Sequence, residues 1–299
     1  ICMKHRDPFS DYHPLVNFLY FAVILLVNMC FMHPLFLAVS LLAGILYRDT
    51  LKGGTAAFCC KVLLPAILLT AVINPAFTHQ GITVITYLPG GNPLTLESIL
   101  YGVAAGLMLA GVMTWFSCCT EVLTTDKFVY LFGQTAPAFS LILSMTLRMI
   151  PRFQKQFRLI NETQHSLGRG ISDGSFLRRF RNGLTIFSIL VTWALETAIE
   201  TADSMKSRGY GLPGRTAFSI YQWEAKDRTA LLWLGAVTFY LICGWADGAL
   251  VWKFYPALSH PAVSPFTLSF PGAFFALCLT PTILRRKEDR LWKRLQSET

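Results

Sequence analysis

The sequence predicts an all-α integral membrane protein with about six transmembrane helices and a cytoplasmic or interfacial domain of long amphipathic helices. Of its 299 residues, 53% are hydrophobic and only 14% are charged, whereas a soluble domain carries about 25% charged residues. The hydrophobic residues are concentrated in long blocks, and most Lys and Arg residues flank those blocks. We therefore expect the net charge of +9 to indicate membrane orientation and not nucleic-acid binding.

Eight hydrophobic blocks are candidate membrane spans. A helix needs about 17 to 20 residues to cross the hydrocarbon core, so the second block is short and the fifth is marginal. The blocks are 15–31, 35–47, 62–79, 98–119, 136–150, 183–202, 230–250 and 266–284.

The positions of Lys and Arg reduce these eight blocks to six spans, because basic residues near membrane ends stay in the cytoplasm. If 136–150 and 183–202 both crossed, eight Lys and Arg residues between them would lie outside. We therefore predict three regions and expect both termini in the cytoplasm. They are about four spans in 1–119, a cytoplasmic coupling domain at 120–229, and about two spans with a basic tail in 230–299.

The second long helix of this insertion is predicted to be amphipathic. Its apolar residues recur at spacings of three and four, which is typical of one helix face. Glu196, Glu200 and Asp203 lie on the other side, and each would cost a few kcal/mol near the centre of a bilayer. We therefore expect this helix to lie against other helices or the membrane surface. The predicted apolar face consists of Leu184, Phe187, Val191, Leu195, Ala198, Ala202 and Met205.

Two helices of the insertion are predicted to end in a small residue, an arginine and a glycine. Glycine favours the left-handed conformation that ends a helix, and a cation there complements the helix dipole, so one interpretation is two ordinary helix ends. The repetition favours another, in which each tip enters a groove and its guanidinium binds a partner's carboxylate through two hydrogen bonds. The first tip is Gly168, Arg169 and Gly170, and the second tip is Ser207, Arg208 and Gly209.

Four motifs carry a family resemblance. "LRMIP", "SLGRG" and "SMKSRGYG" follow one another between apolar blocks, and "HPLVNFLYF" precedes them. The chain thereby resembles the T component (EcfT/CbiQ-like) of energy-coupling factor (ECF) transporters, most specifically over 145–216. That family's signature is two Ala-Arg-Gly motifs at the tips of coupling helices, whereas Gly168 and Ser207 stand at the alanine positions here. The resemblance implies that Arg169 and Arg208 dock ATPases, with Gly170 and Gly209 ending the helices.

The resemblance also implies a set of partners in a prokaryotic plasma membrane. Two ABC-type ATPases would bind the tips, and a small membrane S component, which binds a vitamin or metal ion, would contact the apolar face. ATP would be bound by the partner subunits, so no cofactor is expected in this chain, and its sequence has no GxxxxGK[ST] phosphate loop. We expect an energy-coupling subunit that contacts membrane lipid, is not an enzyme and binds no nucleic acid.

Two other functions are open at this point. An integral membrane enzyme acting on a phosphorylated lipid would need a reactive group near the arginines, where Glu162, His165 and Asp173 are the candidates. A conventional ABC permease subunit would have one short coupling helix and its own substrate path. The eight cysteines include no CxxC pair and the six histidines no HExxH pair, so neither catalytic nor metal-binding residues are predicted.

Overall fold

A computed structural model describes residues 7–87, 93–133, 137–172, 174–210, 212, 221–248, 250, 252–255 and 264–297. The chain divides into two compact units, Ile1–Phe128 with Tyr221–Thr299, and Val129–Ile220. We name them the bundle unit and the insertion unit. The predicted coupling domain, 120–229, contains the whole insertion unit and a short stretch of the bundle unit on each side.

The bundle unit is built from long apolar helices, several of which begin with proline at the first position, where its missing N–H is not needed. A short 3-10 helix, Pro8–Asp11, precedes them, and a π-helical turn, Cys59–Leu63, joins α3 to α4. The helices are α1 Pro14–Cys30, α2 Pro34–Lys52, α3 Thr55–Phe58, α4 Leu64–Phe77, α5 Leu96–Val122, α9 Ala225–Ala246 and α10 Pro265–Ser297. Helix α6, Thr125–Gly133, contains the boundary between the units.

Contacts at the two ends of the bundle show that its helices alternate in direction. Lys52, at the end of α2, pairs with Glu121 near the end of α5, with Nζ and Oε1 2.9 Å apart. At the opposite end, the ring of His33 between α1 and α2 lies edge-on to Trp252, with centroids 5.0 Å apart. Lys52 thus lies at the end of the bundle opposite to His33.

Six helices in the described part of the chain are long and apolar enough to cross a membrane. Six spans were also predicted, but the two sets differ in one helix. The set found in the structure includes α8 and omits α1, which has only 17 residues. Helix α1 nevertheless lies in the core, because Tyr20, Phe21 and Ile24 are almost completely buried. The cytoplasmic position of α8 stays a prediction. The six are Pro34–Lys52, Thr55–Phe77, Leu96–Val122, Phe176–Ser207, Ala225–Ala246 and Pro265–Leu291.

Helix α5 contacts α4 through two glycines one turn apart. A Cβ atom added to Gly106 would lie 2.5 Å from Thr70 Oγ1, and one added to Gly102 would lie 3.2 Å from Ala71 Cα. Small residues four apart let helix backbones approach closely in membranes. The two glycines of "GVAAG" therefore set the distance between α4 and α5. This glycine spacing was not among the features predicted from the sequence.

The loop between α4 and α5 joins two of the predicted spans and contains no Lys or Arg. In the structure it contains two antiparallel strands, β1 Val84–Tyr87 and β2 Pro93–Thr95, with Val84 opposite Thr95. The carboxylate of Glu97 accepts a hydrogen bond from Thr83 Oγ1 at 2.8 Å. This bond ties the hairpin to the first turn of α5.

The insertion unit is an antiparallel pair of long helices, α7 Pro137–Ser166 and α8 Phe176–Ser207. Their central contact is between Phe153 and Trp193, whose rings are perpendicular with centroids 5.6 Å apart. Residues 137–150 of the apolar block form the first half of α7, which continues through Pro151 into its basic half. The turn between the helices contains the first tip, and the end of α8 contains the second.

Candidate functional site: two helix tips and an apolar face

The first tip ends α7 in a Schellman motif, in which two backbone N–H groups return to carbonyls of the last turn. Gly168 has a φ of 69°, a conformation that costs a residue with a Cβ atom about 1 kcal/mol or more. Its N–H donates to the His165 carbonyl at 2.9 Å, and the Arg169 N–H donates to the Gln164 carbonyl at 2.9 Å. The residue that ends α7 is thus Gly168, and the inference that Gly170 does so is wrong.

The second tip ends α8 in the same motif. Gly209 has a φ of 71°. Its N–H donates to the Lys206 carbonyl at 2.9 Å, and the Tyr210 N–H donates to the Met205 carbonyl at 3.0 Å. Gly209 therefore ends this helix, as predicted.

The two arginines occupy different positions in these otherwise identical motifs. Arg169 follows the left-handed glycine, whereas Arg208 precedes Gly209 as the last residue before the left-handed turn. The difference arises because the first motif has glycines on both sides of its arginine and the earlier one, Gly168, adopts the positive φ. Both guanidinium groups are exposed, and among the described residues neither has an ion-pair partner.

The turn after Arg169 is held by two asparagines. Asn182, in the second turn of α8, donates from Nδ2 to the carbonyl of buried Gly170 at 3.0 Å. Asn161 on α7 accepts a weaker hydrogen bond from the Ile171 N–H at 3.4 Å. Sequence reasoning missed both residues, although Asn182 interrupts an otherwise basic stretch. The first tip is therefore fixed from both helices of the insertion unit.

The predicted apolar face of α8 is largely uncovered in this chain. Leu184, Phe187 and Leu195 expose 54%, 62% and 62% of their surface. Val191, Ala198 and Ala202 are exposed, and only Met205 is half-buried. A different side of α8, which includes Ile186 and Thr197, is buried. The seven predicted residues thus form a surface that is largely exposed in the part of the chain that the structure describes.

This apolar face continues further towards the start of α8 than the sequence analysis predicted. Phe176 and Phe180 precede Leu184 at steps of four residues, which places the three on one side of the helix. They expose 85%, 63% and 54% of their surface. The periodicity was available in the sequence, but the basic residues at 178, 179 and 181 obscured it.

Residues 7–13 of the bundle unit bind the chain on both sides of the insertion. Lys127, in the first turns of α6, is 1% exposed. Its ammonium donates to the Ser10 hydroxyl at 3.0 Å, to the Ser10 carbonyl and to the Val122 carbonyl at 3.1 Å. The His13 N–H donates to the carboxylate of Asp227, in the first turn of α9, at 2.9 Å. Lys127 and Asp227 lie just before and just after the insertion unit, and we call these two positions the roots of the insertion. Both roots are therefore attached to one short segment, residues 7–13.

Asp7 extends this polar cluster towards α2 and α10. Its carboxylate accepts a hydrogen bond from the Tyr47 hydroxyl at 2.7 Å and lies 3.7 Å from the Arg285 guanidinium. Burial raises the pKa of the Asp7 carboxyl, against the opposing effect of these two partners. The cluster joins residues 7–13 to α2, α6, α9 and α10 at one end of the bundle. No local pattern predicts it, because its members are far apart in the chain.

The candidate residues for lipid-phosphate chemistry do not form a recognisable centre in the described chain. Glu162 and His165 lie on exposed positions of α7, and Asp173 lies outside the described residues. Among the residues that the structure describes, no group of three His, Cys, Asp or Glu side chains could hold a metal ion.

A bundle of apolar helices with an attached amphipathic pair defines a multi-pass membrane protein, and the comparisons with known proteins identify its class as membrane transport. The sequence profile of the Cobalt transport protein family (CbiQ) matches residues 10–218, which include both tips. The chain therefore belongs to this family, that of the T components of ECF transporters, which are transport subunits and not enzymes.

Several curated bacterial proteins are similar to this chain over most of its length. An energy-coupling factor transporter transmembrane protein EcfT of Listeria monocytogenes is 27% identical over 233 residues, 72% of this chain and 84% of the relative. Proteins of the same description from Streptococcus equi and Staphylococcus aureus are each 24% identical, covering 80% and 77% of this chain and 91% and 93% of the relatives.

Proposed function

We propose that this chain is the energy-coupling subunit of an ECF-type importer. It transmits motion from two cytoplasmic ABC-type ATPases, which bind and hydrolyse ATP, to an S component that binds a vitamin or a metal ion. The observation that carries the proposal is the pair of exposed arginines at two helix ends of the same geometry, Arg169 and Arg208. Membership of the family supports it.

The geometry of the tips suits the transmission of force. Each arginine follows a helix of 30 or 32 residues, about 45 Å of rigid backbone at about 1.5 Å per residue. Two hydrogen bonds close each helix end, and the contact between Asn182 and Gly170 holds the first turn further. A guanidinium on such a support loses little conformational freedom when it binds a carboxylate through two parallel hydrogen bonds.

The apolar face of α8 is the proposed contact for the S component. Its aliphatic and aromatic side chains offer no fixed polar partners, and hydrophobic contact is non-directional. Such a surface tolerates sliding and repacking when the partner moves, because no hydrogen bond has to break. The exposed pair Phe176 and Phe180 would extend the contact towards the first tip.

The topology that this mechanism requires places 120–229 and both termini in the cytoplasm. Its support is the distribution of basic residues and the attachment of both insertion roots, at Lys127 and Asp227, to one end of the bundle. Replacing Ser175 with cysteine gives a direct test in a chain without other reactive cysteines. Protection of this cysteine from a membrane-impermeant maleimide in intact cells is expected, and labelling would contradict the topology.

The docking role is tested by Arg169→Ala and Arg208→Ala, separately and together. Removing one partner of a buried charge pair costs about 2–5 kcal/mol, so each variant should reach the membrane normally yet recover much less ATPase in co-purification. Arg152→Ala is the matched control, since Arg152 is also exposed but lies in the middle of α7, far from both tips. Undiminished recovery of both ATPases with the double variant would refute the docking role.

A further inference from the structure

The end of α10 carries a basic cleft that the proposed function does not use. It has a volume of about 500 Å³. Among the described residues, Arg286, Lys287 and Arg290 are exposed and have no ion-pair partner. The lining residues are Ile283, Arg286, Lys287, Arg290, Leu291 and Arg294.

The basic residues of the cleft lie on a different side of α10 from the other charged residues of that helix. At about 100° per residue, positions 286, 287, 290 and 294 fall within one arc of about 100°, and Glu288 and Asp289 fall outside it. Arg285 points elsewhere, since its guanidinium lies 3.7 Å from the buried Asp7 carboxylate. The chain thus neutralises Arg285 itself, whereas Arg286, Lys287 and Arg290 have no ion-pair partner among the residues that the structure describes.

The cleft lies at the depth where a lipid phosphate is expected. The apolar stretch 266–284 contains about 19 residues and spans about 28 Å at about 1.5 Å per residue, close to the hydrocarbon thickness of about 30 Å. The residues that follow it therefore emerge at the level of the headgroups. Ile283 and Leu291, 56% and 51% exposed, add apolar surface to the same cleft.

We propose that this cleft binds the headgroup of an anionic phospholipid. Arg286, Lys287 and Arg290 would donate charge-assisted hydrogen bonds to the phosphate, and Ile283 and Leu291 would contact the adjoining part of the acyl chains. A free phosphate ion would satisfy the cations but not the apolar residues. Because the cleft combines cations with exposed apolar residues at the depth of the headgroups, a lipid is the ligand that fits it.

The test titrates the purified full-length chain, in a zwitterionic detergent, with dioctanoyl phosphatidylglycerol and follows binding by native mass spectrometry. Dioctanoyl phosphatidylcholine and inorganic phosphate serve as comparison ligands. The double variant Arg286→Gln with Arg290→Gln should weaken phosphatidylglycerol binding by about thirty-fold, because a basic residue near a membrane surface contributes about 1 kcal/mol. Lys226→Gln with Arg228→Gln is the control, since both are exposed cations in the first turn of α9 at the same end of the bundle. Lys226 already has an anion, because its Nζ lies 3.0 Å from Glu224 Oε2.

The expected result is a preference for phosphatidylglycerol over both comparison ligands that the α10 variant loses and the α9 control retains. Raising NaCl from about 0.05 to about 0.5 M should weaken phosphatidylglycerol binding by the unsubstituted chain, because salt screens exposed charges. This measurement needs no variant and decides the matter if the α10 variant does not fold. Equal binding of phosphatidylcholine, equal binding of inorganic phosphate, salt-independent binding or an equal loss in the α9 control would overturn the proposal.

Discussion

Asn182 donates a hydrogen bond to the carbonyl oxygen of Gly170 at 3.0 Å, and both residues are buried. The bond crosses the turn between α7 and α8 and ends at the residue next to Arg169. The position of the exposed Arg169 thus depends on a buried amide that lies twelve residues beyond Gly170 in the chain. A turn with no such tie would let the guanidinium move independently of the helices.

Asn182→Ala should loosen the first tip and leave the second unchanged. The variant leaves the Gly170 carbonyl buried without its partner, which costs about 1–3 kcal/mol. Backbone amides at 169–172 are therefore expected to exchange faster in hydrogen–deuterium exchange, while those at 207–210 keep their rates. Thr185→Ala is the control, because the Thr185 hydroxyl bonds only within its own helix, to the Arg181 carbonyl. Unchanged exchange at 169–172 would show that Asn182 does not hold the turn.

Gly168→Ala and Gly209→Ala should each destabilise one helix end. A Cβ atom at φ values of 69° and 71° is strained by about 1–2 kcal/mol. Gly183→Ala provides the opposite control, since Gly183 lies within α8 and a Cβ atom there meets no neighbour within 4 Å. That change should be neutral or stabilise the helix by up to about 1 kcal/mol.

Hydrogen–deuterium exchange in the last turns of α7 and α8 shows which glycine ends which helix. Gly168→Ala should raise exchange at 162–168 only, and Gly209→Ala at 203–209 only. If Gly170→Ala instead of Gly168→Ala raised exchange at the end of α7, the left-handed residue that ends the helix would lie two residues later than the structure shows. The two arginines would then occupy equivalent positions.

The features predicted from sequence are those set by local pattern. The apolar spacing predicted both the α8 helix and the face that includes Leu184 and Leu195, and the structure shows that face exposed. The start of each of the first two long helices follows from a proline at its first position. Composition and the distribution of charge predicted the all-α membrane fold in the same way.

The features that were missed depend on hydrogen bonds and contacts that no periodic pattern predicts. The sequence "SLGRG" offers two glycines that can end α7, and choosing Gly168 over Gly170 requires the backbone hydrogen bonds of the turn. The burial of Lys127 depends on Ser10, which is 117 positions away. Neither feature leaves a periodic signal, because the first depends on the hydrogen bonds of a single turn and the second on tertiary packing.

Lys127→Met should destabilise the bundle unit and detach one root of the insertion. The variant keeps the volume of the side chain but leaves the buried carbonyls of Ser10 and Val122 without their donor. Because hydrogen bonds to a charged group contribute about 1.5–3 kcal/mol, we expect a clear fall in the thermal unfolding midpoint in detergent. Lys52→Met is the matched control, since its pair with Glu121 is about one-third exposed and should contribute about 0–1 kcal/mol. Equal effects of the two variants would contradict this assignment.

Acidification should destabilise the starts of α1 and α2. Nδ1 of His13 accepts a hydrogen bond from the Leu15 N–H at 3.3 Å, and Nδ1 of His33 accepts one from the Leu35 N–H at 3.3 Å. Only a neutral imidazole can accept these bonds. Burial lowers the pKa of both histidines from the usual 6.5, although the Asp227 carboxylate partly opposes this for His13.

A lowered pKa means that the folded chain binds these protons less readily than the unfolded chain. The stabilisation is therefore complete above pH 6.5 and is lost as the pH falls through 6.5 towards the folded-state pKa. The variants His13→Asn and His33→Asn keep a capping side chain that does not titrate, so together they should flatten the decline of the unfolding midpoint between about pH 7 and pH 5. His165→Asn replaces an exposed histidine of α7 and should leave the decline intact. A decline of the same size in all three chains would place the acid-sensitive groups elsewhere.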